Sequence, residues 1–394
     1  MRISKWFAAA LAVPILLSAI YGCDNSGPLG PSSNTTGLAT GAAVDSSGNV
    51  YIAGWTGTAD NATPCFWRNG SLAGTLPLGN GNSYFNTNQV FVDSGNHFYV
   101  MGAVGVSSST LQPCYWKDGV LVILSSGGVY AFGQAAGAAF DGSGNLYVSG
   151  VVGRSSTSQY PCYWENGLGP SVLSLSSSNT YGWVNGIAWD GSNNMFFAGA
   201  EGTSSTAEVP ALWTLGGVPT DFPDPGNGYG FARGVAASGG TVYIAAAEGA
   251  DSSSVVPFYW SGAVNYNGDV VGSTASLPKG TNSYGWARSV VASGATMYFT
   301  GIQGPSSSSN DPCFWTMPPG TVTSQPLGSG RSVYWTYWAA ADASGNLYTP
   351  GALGSSSTNP VPCYWKNGSL NMLPMGNQSK VVPGRRGIAA RPLE

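Results

Sequence analysis

The sequence predicts an all-β fold, a seven-bladed β-propeller with four antiparallel strands in each blade. Three observations favour this fold. A block of about 50 residues recurs seven times, and each block contains four strand-like segments separated by tight-turn signals. Helical periodicity is missing after the N-terminal apolar run. Four short strands in each repeat of this length are the pattern of a propeller blade.

Two motifs mark the blocks and keep them in register. The first belongs to the second strand and reads GNVYIAG in its clearest form; it occurs at 48–54, 95–102, 144–150, 193–199, 240–246, 295–301 and 345–351. The second motif ends the third strand with a tryptophan, and these residues are Trp67, Trp116, Trp164, Trp213, Trp260, Trp315 and Trp365. Seven matches in register are too many to arise by chance.

The four strands of a block follow from its residue types in order. Small apolar residues such as those at 41–45 suit a first strand crowded near the axis, and a Gly/Asn turn that tolerates positive φ follows. The second strand alternates, as at 49–53, and a Ser-rich loop leads to the third strand, Pro-Cys-aromatic-Trp. A tight turn such as Asn69-Gly70 then starts the fourth strand, since Asn-Gly is the strongest short hairpin signal.

The composition agrees with stacked sheets and excludes several classes of protein. Charged residues make up 8% of the chain, against roughly 25% in ordinary soluble domains, while 58 residues are glycine and 12% are aromatic. Many aromatics with few charges exclude a disordered chain. A net charge of -4 argues against a nucleic-acid partner, and a single histidine argues against a His-rich metal site or a His-based triad.

The first half of each block, a GIAVD-like strand, a turn and a GNxYVAG-like strand, resembles the NHL and SBBP families of β-propeller repeats over roughly residues 37–375. The PCYWKNG half resembles uncharacterised repeat lipoproteins of environmental and host-associated bacteria. These resemblances imply a fold and a location but no activity. The NHL resemblance also implies that the first strand of each blade is the innermost.

The N-terminus predicts export. Residues 1–22 combine a positive start, a short apolar run and a small residue before Cys23, which resembles the lipoprotein box of bacteria. We expect a signal peptide at 1–22, a lipidated Cys23, a flexible tether at 23–36 and the propeller at 37–394. The alternative is an ordinary cleaved signal followed by an incidental cysteine. The expected location is the bacterial cell envelope, periplasmic or on the cell surface, with the lipid as the membrane anchor and no transmembrane helix.

The repeated cysteines and aspartates have structural interpretations. Five cysteines share one position in the block: Cys65, Cys114, Cys162, Cys313 and Cys363. Equivalent positions in neighbouring blades lie too far apart for a disulfide, so we expect buried, unpaired thiols and no metal or redox cluster. The repeated aspartates at the end of the first strand are expected to accept hydrogen bonds from the following turn. No metal and no cofactor are predicted.

The C-terminus contains a segment that resembles an eighth first strand. Residues 386–390 match the first strand at 233–237. Since seven blades need seven inner strands, we expect this segment to close the ring by replacing or augmenting the strand at 41–45. The alternative is an extra strand packed elsewhere.

The segments that join one block to the next carry the candidate binding residues. Tyrosines recur there at Tyr84, Tyr130, Tyr181, Tyr229, Tyr284 and Tyr334. Two of these tyrosines are followed two residues later by a tryptophan, Trp183 or Trp286. The residues that lie four positions after the tyrosines are Asn88, Gln134, Asn185, Arg233, Arg288 and Trp338. In the C-terminal segment, Arg386 matches this second set of positions. Amides, arginines and aromatics ringing the mouth of the central channel would form a ligand site, whereas the tyrosines are as well explained as wedges between blades.

The favoured function is that of a monomeric binding or scaffold propeller, without catalysis, whose loop face takes a glycan, peptide or protein. The alternative is a polysaccharide-active enzyme, a lyase or hydrolase, at the channel mouth. Glycosidases need two placed carboxylates. Acids that fall toward the loop face are Glu201, Glu208, Glu248, Asp251 and Asp311. Convergence of Glu201 and Glu248 with Arg233 and Arg288 on one pocket would favour the enzyme or a site for an acidic sugar, and their separation on a shallow face would favour binding.

Overall fold

The computed structural model describes residues 36–376 except 59–60, 193, 217–218, 223–227, 265–269, 318–320, 325–332 and 355–358, together with 386–387. The described residues form seven sheets, each built around four antiparallel strands in chain order from one continuous block of the chain. The sheet of blade 2 has an added parallel strand, β30 (Arg386–Gly387), and the inner strand of blade 7 is divided into two pieces, β25 (Val333–Thr336) and β26 (Ala340–Ala341). The predicted all-β fold, a propeller of seven four-stranded blades, is confirmed. The predicted signal peptide, Cys23 and the tether up to residue 35 lie outside the described residues.

The first three blades contain the following strands: β1 (Thr36–Val44), β2 (Val50–Thr58), β3 (Asn61–Arg68) and β4 (Ser71–Thr75); β5 (Tyr84–Val92), β6 (Phe98–Gly105), β7 (Leu111–Lys117) and β8 (Val120–Ile123); β9 (Phe132–Phe140), β10 (Leu146–Ser155), β11 (Ser158–Glu165) and β12 (Leu168–Val172).

The next three blades contain β13 (Tyr181–Trp189), β14 (Met195–Ser204), β15 (Ala207–Thr214) and β16 (Thr220–Asp221); β17 (Tyr229–Ser238), β18 (Thr241–Gly249), β19 (Val256–Val264) and β20 (Val270–Ser276); β21 (Tyr284–Ser293), β22 (Thr296–Ser306), β23 (Ser309–Met317) and β24 (Thr321–Ser324). Blade 7 contains β25 (Val333–Thr336), β26 (Ala340–Ala341), β27 (Leu347–Gly354), β28 (Val361–Lys366) and β29 (Ser369–Met372), and a last strand, β30 (Arg386–Gly387), follows.

The first strand of each blade is the innermost, and successive first strands pack side by side around the axis. Their small residues are required by this contact. A Cβ built on Gly186 would lie 2.5 Å from the carbonyl oxygen of Arg233 in the next blade, far inside van der Waals contact. The repeated glycines and alanines of the first strands therefore set how closely the blades approach at the axis.

Aromatic and aliphatic side chains fill the interfaces between neighbouring blades. Tyr51 and Phe98 stack across the interface of blades 1 and 2 with ring centroids 5.0 Å apart. Tyr163 and Phe197 do the same across blades 3 and 4, at 5.2 Å. Since both faces of a sheet are covered in this way, the chain needs few charged residues.

In five blades the repeated tryptophan of the third strand bonds its blade to the one before it. The indole N–H of Trp116 donates to the carbonyl oxygen of Pro77, at 2.7 Å, and three further tryptophans donate in the same way: Trp164 to Ser125, Trp213 to Ser174 and Trp315 to Pro278. Trp67 donates to Pro374 at 2.8 Å. This bond joins the first blade to the last, so the ring closes through the same contact that links the other blades.

Trp67→Phe tests the closing bond. The substitution removes the indole donor and part of a fully buried ring, so we expect the free energy of unfolding to fall by about 1–3 kcal/mol in urea denaturation. Trp116→Phe, which cuts the same bond between two blades that the chain already connects, is the matched comparison. A smaller loss for Trp67→Phe than for Trp116→Phe would argue against Trp67 as a closing contact.

The repeated aspartates act in the turns, as predicted. Oδ1 of Asp141 accepts the backbone N–H groups of Ser143 and Asn145, and Oδ2 accepts the side-chain amide of Asn145. The bond from the Asn145 side chain lowers the pKa of the Asp141 carboxyl. Asp45 and Asp342 make the same set of bonds in their turns. These carboxylates hold the first hairpin of the blade and do not form a catalytic set.

The five repeated cysteines are buried thiols that are not joined in disulfides, as predicted. Burial raises the pKa values of the Cys114, Cys162 and Cys313 thiols well above their usual range. A buried thiol that stays protonated is a poor nucleophile. We therefore expect a thiol reagent such as Ellman's reagent to modify none of the five in the native protein and all five after denaturation. Rapid native labelling of any of them would contradict this packing role.

Of the C-terminal segment 386–390 the structure describes residues 386 and 387, and these two pair with β5 and not with the predicted strand at 41–45. β30 runs parallel to the start of β5, with Arg386 opposite Tyr84 and Gly387 opposite Phe85, and it also contacts β3. It is an extra strand on blade 2, the alternative that the sequence left open.

A single replacement accounts for this position of β30. In blades 1 and 6 the residue equivalent to Phe85 is a glycine, Gly37 or Gly285, whose N–H donates to a carbonyl oxygen of the preceding blade. A Cβ on Gly37 would lie 2.9 Å from the ring of Pro362, so only glycine fits there. Phe85 brings a buried ring to this position, and the edge of β5 pairs with β30 instead.

Candidate functional site

The first strand of each blade carries a β-bulge at one repeated position. The register of β17 shifts between Ala232 and Gly234, and that of β21 shifts between Ala287 and Ser289. Blade 7 has its irregular stretch, between β25 and β26, at the same level. The residues at this position are Thr40, Asn88, Ala136, Asn185, Arg233, Arg288 and Tyr337. A bulge turns the extra side chain out of the regular alternation, which makes this level of the inner strands a place for function.

Four of the predicted ring residues occupy this bulge: Asn88, Asn185, Arg233 and Arg288. They lie inside the first strands, not ahead of them as the sequence suggested. Gln134 and Trp338 do not belong to the bulge. Gln134 pairs with Val151 two residues before the bulge of β9, and Trp338 follows Tyr337 and bonds to the backbone of blade 1.

The cause of both misplacements is the spacing to the tyrosines. In blade 3 the strand begins at Phe132, so Tyr130 lies two residues upstream of the position that Tyr84 and Tyr181 occupy. In blade 7 the spacing from Tyr334 to the turn is one residue shorter. Arg386 lies in β30 beside Tyr84, and its side chain is outside what the structure describes.

Arg233 is held among aromatic rings of three blades. Its guanidinium carbon lies 5.3 Å from the ring centroid of Trp183, 4.6 Å from that of Phe231 and 5.2 Å from that of Trp286. The residue is 4% exposed. Cation–π contacts of this kind strengthen when the cation is withdrawn from water.

Arg288 continues the same arrangement into the next two blades. Its guanidinium carbon lies 4.3 Å from the centroid of Trp286 and 4.6 Å from that of Tyr337, and it too is 4% exposed. Cations and rings therefore alternate around the axis from blade 4 to blade 7. We call this set the Arg–Trp cluster: Trp183, Phe231, Arg233, Trp286, Arg288 and Tyr337.

Blades 1 to 3 present hydroxyl and amide groups at the same level. The Asn86 side-chain amide donates to Oε1 of Gln134 at 2.6 Å, and that of Asn88 donates to the Ala135 carbonyl at 2.7 Å. Within the described part of the chain, Oδ1 of Asn86 and Oε1 of Gln89 are buried acceptors without a hydrogen-bond partner. The inner strands thus carry cations and rings in blades 4 to 7 and amide groups in blades 2 and 3.

Glu208 is a buried carboxyl behind the cluster. It is 1% exposed, and its Oε2 accepts the indole N–H of Trp183 at 2.8 Å. Burial raises the pKa of Glu208 to about 8, although the Trp183 bond and the charge of Arg233 act in the opposite direction. Glu208 therefore carries a proton at neutral pH.

Sequence reasoning noted Glu208 as a loop-face acid but did not include it among the site residues. The signal that could have found it is its place in the repeat, two residues before the third-strand proline. Three blades have buried apolar residues there, Ala62, Leu111 and Val255, and two blades have amides, Gln159 and Asn310. A carboxyl buried at such a position is a candidate functional group.

Glu201 and Glu248 do not form a pair. Glu201 pairs with Gly182 on the neighbouring strand, so both residues point to the same face of the sheet. A Cβ built on Gly182 would face Pro161 and Leu175 of blade 3. On this side Glu201 accepts the backbone N–H of Ser176. Glu248 shares the equivalent row with Gly230, which faces Pro210 of blade 4.

The sheet of blade 4 therefore separates the two carboxyls. Two carboxyls on opposite sides of a sheet do not make the paired acid and base of a glycosidase, which favours binding over two-carboxylate chemistry.

Two further properties concern membranes and metals. Within the described ranges the chain has no helix that is long and apolar enough to span a membrane. Among these same residues, no group of three or more His, Cys, Asp or Glu side chains could hold a metal ion.

No protein-family model matches the chain, and no curated protein matches it. Several solved structures are distantly similar to it. A protein of unknown function from Dyadobacter fermentans is 8% identical, with a TM-score of 0.45, over 86% of this chain and 96% of that one. The β-propeller domain of the trilobed protease from Pyrococcus furiosus is 9% identical, with a TM-score of 0.45, over 88% and 99%. A variant of the Aleuria aurantia lectin is 12% identical, with a TM-score of 0.42, over 87% and 97%.

Proposed function

We propose that this protein is a binding module without catalytic activity that takes a glycan, peptide or protein ligand at the Arg–Trp cluster. The observation that carries the proposal is the insertion of two arginines, at equivalent bulges, among the rings of four neighbouring blades. Packing does not require arginine at this position, because blades 1 and 3 have Thr40 and Ala136 there.

The geometry suits binding because the cluster is preorganised. The rings fix both guanidinium groups before a ligand arrives, so little side-chain entropy is lost on association. Arginine also presents several N–H donors in a planar fork that matches carboxylate and similar oxygen groups. Rings with a few convergent polar groups are the usual lining of a ligand site.

Binding by the full-length protein in detergent micelles tests this proposal. Arrays of neutral and acidic oligosaccharides and a pull-down from envelope extract would supply the ligands. We expect Arg233→Gln and Arg288→Gln each to weaken binding at least tenfold, the order expected for a lost charged contact. Arg154→Gln, at an exposed arginine of β10, is the matched control and should bind like the wild type. Binding that survives both cluster substitutions would place the site elsewhere.

A catalytic role is the second candidate, and Glu208 is the observation that favours it. A carboxyl that keeps its proton at neutral pH is suited to act as a general acid. A polysaccharide lyase or hydrolase would lose product formation on Glu208→Gln, whereas a binding module would keep its ligand affinity.

The proposed location is the bacterial cell envelope, with a lipid on Cys23. The support is the order of charged start, apolar run and cysteine at the N-terminus. Cys23→Ser is expected to abolish incorporation of labelled fatty acid and to move the protein out of the membrane fraction. Membrane association that persists in this variant would contradict lipid anchoring.

A further inference from the structure

We propose that the cleft between blades 1 and 2 is a strand-acceptor site, and that its occupant, the C-terminal segment containing β30, can be exchanged for the same segment of a second copy of this chain. The ligand that the cleft takes is therefore an extended peptide that adds a strand to β5. This inference concerns blades 1 and 2 and does not depend on the function proposed for the Arg–Trp cluster.

The interface between blades 1 and 2 differs from the others. At five interfaces the third strand of one blade packs closely against the first strand of the next: β28 against β1, β7 against β9, β11 against β13, β15 against β17 and β19 against β21. Between blades 1 and 2, the third strand β3 touches β5 only slightly and contacts β30. β30 therefore lies between two blades, where those five interfaces have direct contact.

One residue of β5 accounts for the wider spacing. In five blades the residue equivalent to Phe85 is a glycine: Gly37, Gly133, Gly182, Gly230 or Gly285. In the first four of these, a Cβ would lie 2.9–3.2 Å from the ring of the third-strand proline of the preceding blade. Phe85 carries a fully buried ring in a cluster with Leu38 and Ala62 of blade 1. This ring keeps β5 from closing on β3 and leaves room for an added strand.

The inner edge of β5 supplies the main-chain partners for that strand. At the equivalent position the N–H of Gly37 donates to the Pro360 carbonyl at 2.8 Å, and that of Gly285 to the Val255 carbonyl at 3.0 Å. In blade 2 this position pairs with β30 in parallel, Phe85 opposite Gly387. Addition of a strand to a sheet edge is a general mode of peptide recognition, because main-chain groups provide the affinity. The cleft thus recognises an extended backbone, which a second chain presents equally well.

The charge of the C-terminal segment favours its association with the propeller. After residue 376 the chain has four basic residues and one acidic residue: Lys380, Arg385, Arg386, Arg391 and Glu394. Residues 1–376 keep 10 basic and 17 acidic residues. Opposite charges speed the encounter of two surfaces, whether or not they belong to one chain. The segment is therefore attracted to its own propeller and to that of another copy.

The length of chain before β30 permits the exchange. Nine residues separate Gly376, just after blade 7, from Arg386, and this length reaches at most about 35 Å. Exchange of an identical element between two copies costs little, because each copy makes the same contacts as before. The tether also holds the chain's own segment near the cleft at an effective concentration of about 1 mM or more. A segment added from outside must compete with it.

Fluorescence anisotropy on the full-length protein in detergent tests the acceptor site, with a fluorescein-labelled peptide of residues 377–394 as the probe. Replacing Arg386 and Gly387 together by proline removes both N–H groups of β30, so the chain's own segment should leave the cleft. We expect this double variant to bind the peptide at least tenfold more tightly than the wild type does. Arg385→Gln is the matched control, since it also removes one positive charge but leaves both N–H groups in place, and it should bind the peptide as weakly as the wild type.

The peptide and the assembly state supply the other two readouts. A peptide with the same two prolines should bind neither protein. Wild type held at high concentration in mild urea and then returned to buffer should contain dimers by light scattering, whereas the double variant should stay monomeric.

Each result that differs from these would overturn one part of the proposal. Equal peptide affinity of wild type and double variant, or no binding by the double variant, would overturn the acceptor site. Equal binding of both peptides would show attraction by charge without strand pairing, and a wild type that forms no dimers would overturn the exchange between copies. None of these results bears on ligand binding at the Arg–Trp cluster, which Arg233→Gln tests separately.

Discussion

Glu208→Gln is expected to stabilise the protein at pH 9 and to leave its stability unchanged below pH 4. The native pKa of Glu208 is about 8, against 4.5 for an ordinary glutamate. Between these two values the unfolded chain releases the proton and the folded chain keeps it. The free energy of unfolding therefore falls as pH rises through this window and levels off above it. At 1.36 kcal/mol per pKa unit, the loss reaches at most about 5 kcal/mol.

Urea unfolding of wild type and Glu208→Gln at pH 5, 7 and 9 would measure this effect. The difference between the two proteins cancels the titration of all other groups, so it should grow from nearly zero at pH 5 to its full size at pH 9. Glutamine can still accept the indole N–H of Trp183, which keeps the native contact. Glu165→Gln, at an exposed carboxyl, controls for the removed charge. Parallel stability curves for wild type and Glu208→Gln would show that burial does not hold the proton on Glu208.

The fold was predictable because the same strand and turn motifs occur in every block of the sequence. The Gly/Asn turns and the third-strand tryptophan recur in seven blocks, so an error in one block is corrected by the others. The C-terminal strand had no such support. Its place depends on Phe85, which stands where other blades use glycine, and that exception matters only once blade 1 is packed beside blade 2.

The site was predictable only where residues break the repeat. Arg233 and Arg288 stood out because symmetry does not require them, and both lie in the cluster. Gln134 and Trp338 were misplaced because the spacing from the tyrosine to the inner strand differs in blades 3 and 7 from that in the other blades. The importance of Glu208 arises from burial against another blade, about 25 residues and one blade away from Arg233 along the chain.

The last glycine of the second-strand motif is explained by the bulge. A Cβ built on Gly199 would lie 1.8 Å from the carbonyl oxygen of Trp183. In five other blades the equivalent glycine would clash in a comparable way with the equivalent carbonyl of its own blade: Gly54, Gly102, Gly150, Gly301 and Gly351. Blade 5 alone has alanine here, Ala246, paired with Ala232. In six blades the bulged inner strand therefore lies so close to the second strand that a side chain there would clash, whereas blade 5 forms the same bulge beside an alanine.

Gly199→Ala is expected to destabilise the protein by about 2–3 kcal/mol, because the new methyl group must push aside the backbone that carries Trp183. The displaced strand also carries Asn185 and holds Trp183 against Glu208 and Arg233. The affinity for a ligand of the Arg–Trp cluster should therefore fall together with the stability of the protein. Ala246→Gly is the matched control: it removes a methyl group that blade 5 already accommodates, and its cost should stay near 1 kcal/mol or less. Urea unfolding and ligand titration of both variants measure the two effects. A Gly199→Ala protein as stable as Ala246→Gly would mean that the inner strand tolerates a side chain here, and the bulge would then need another cause.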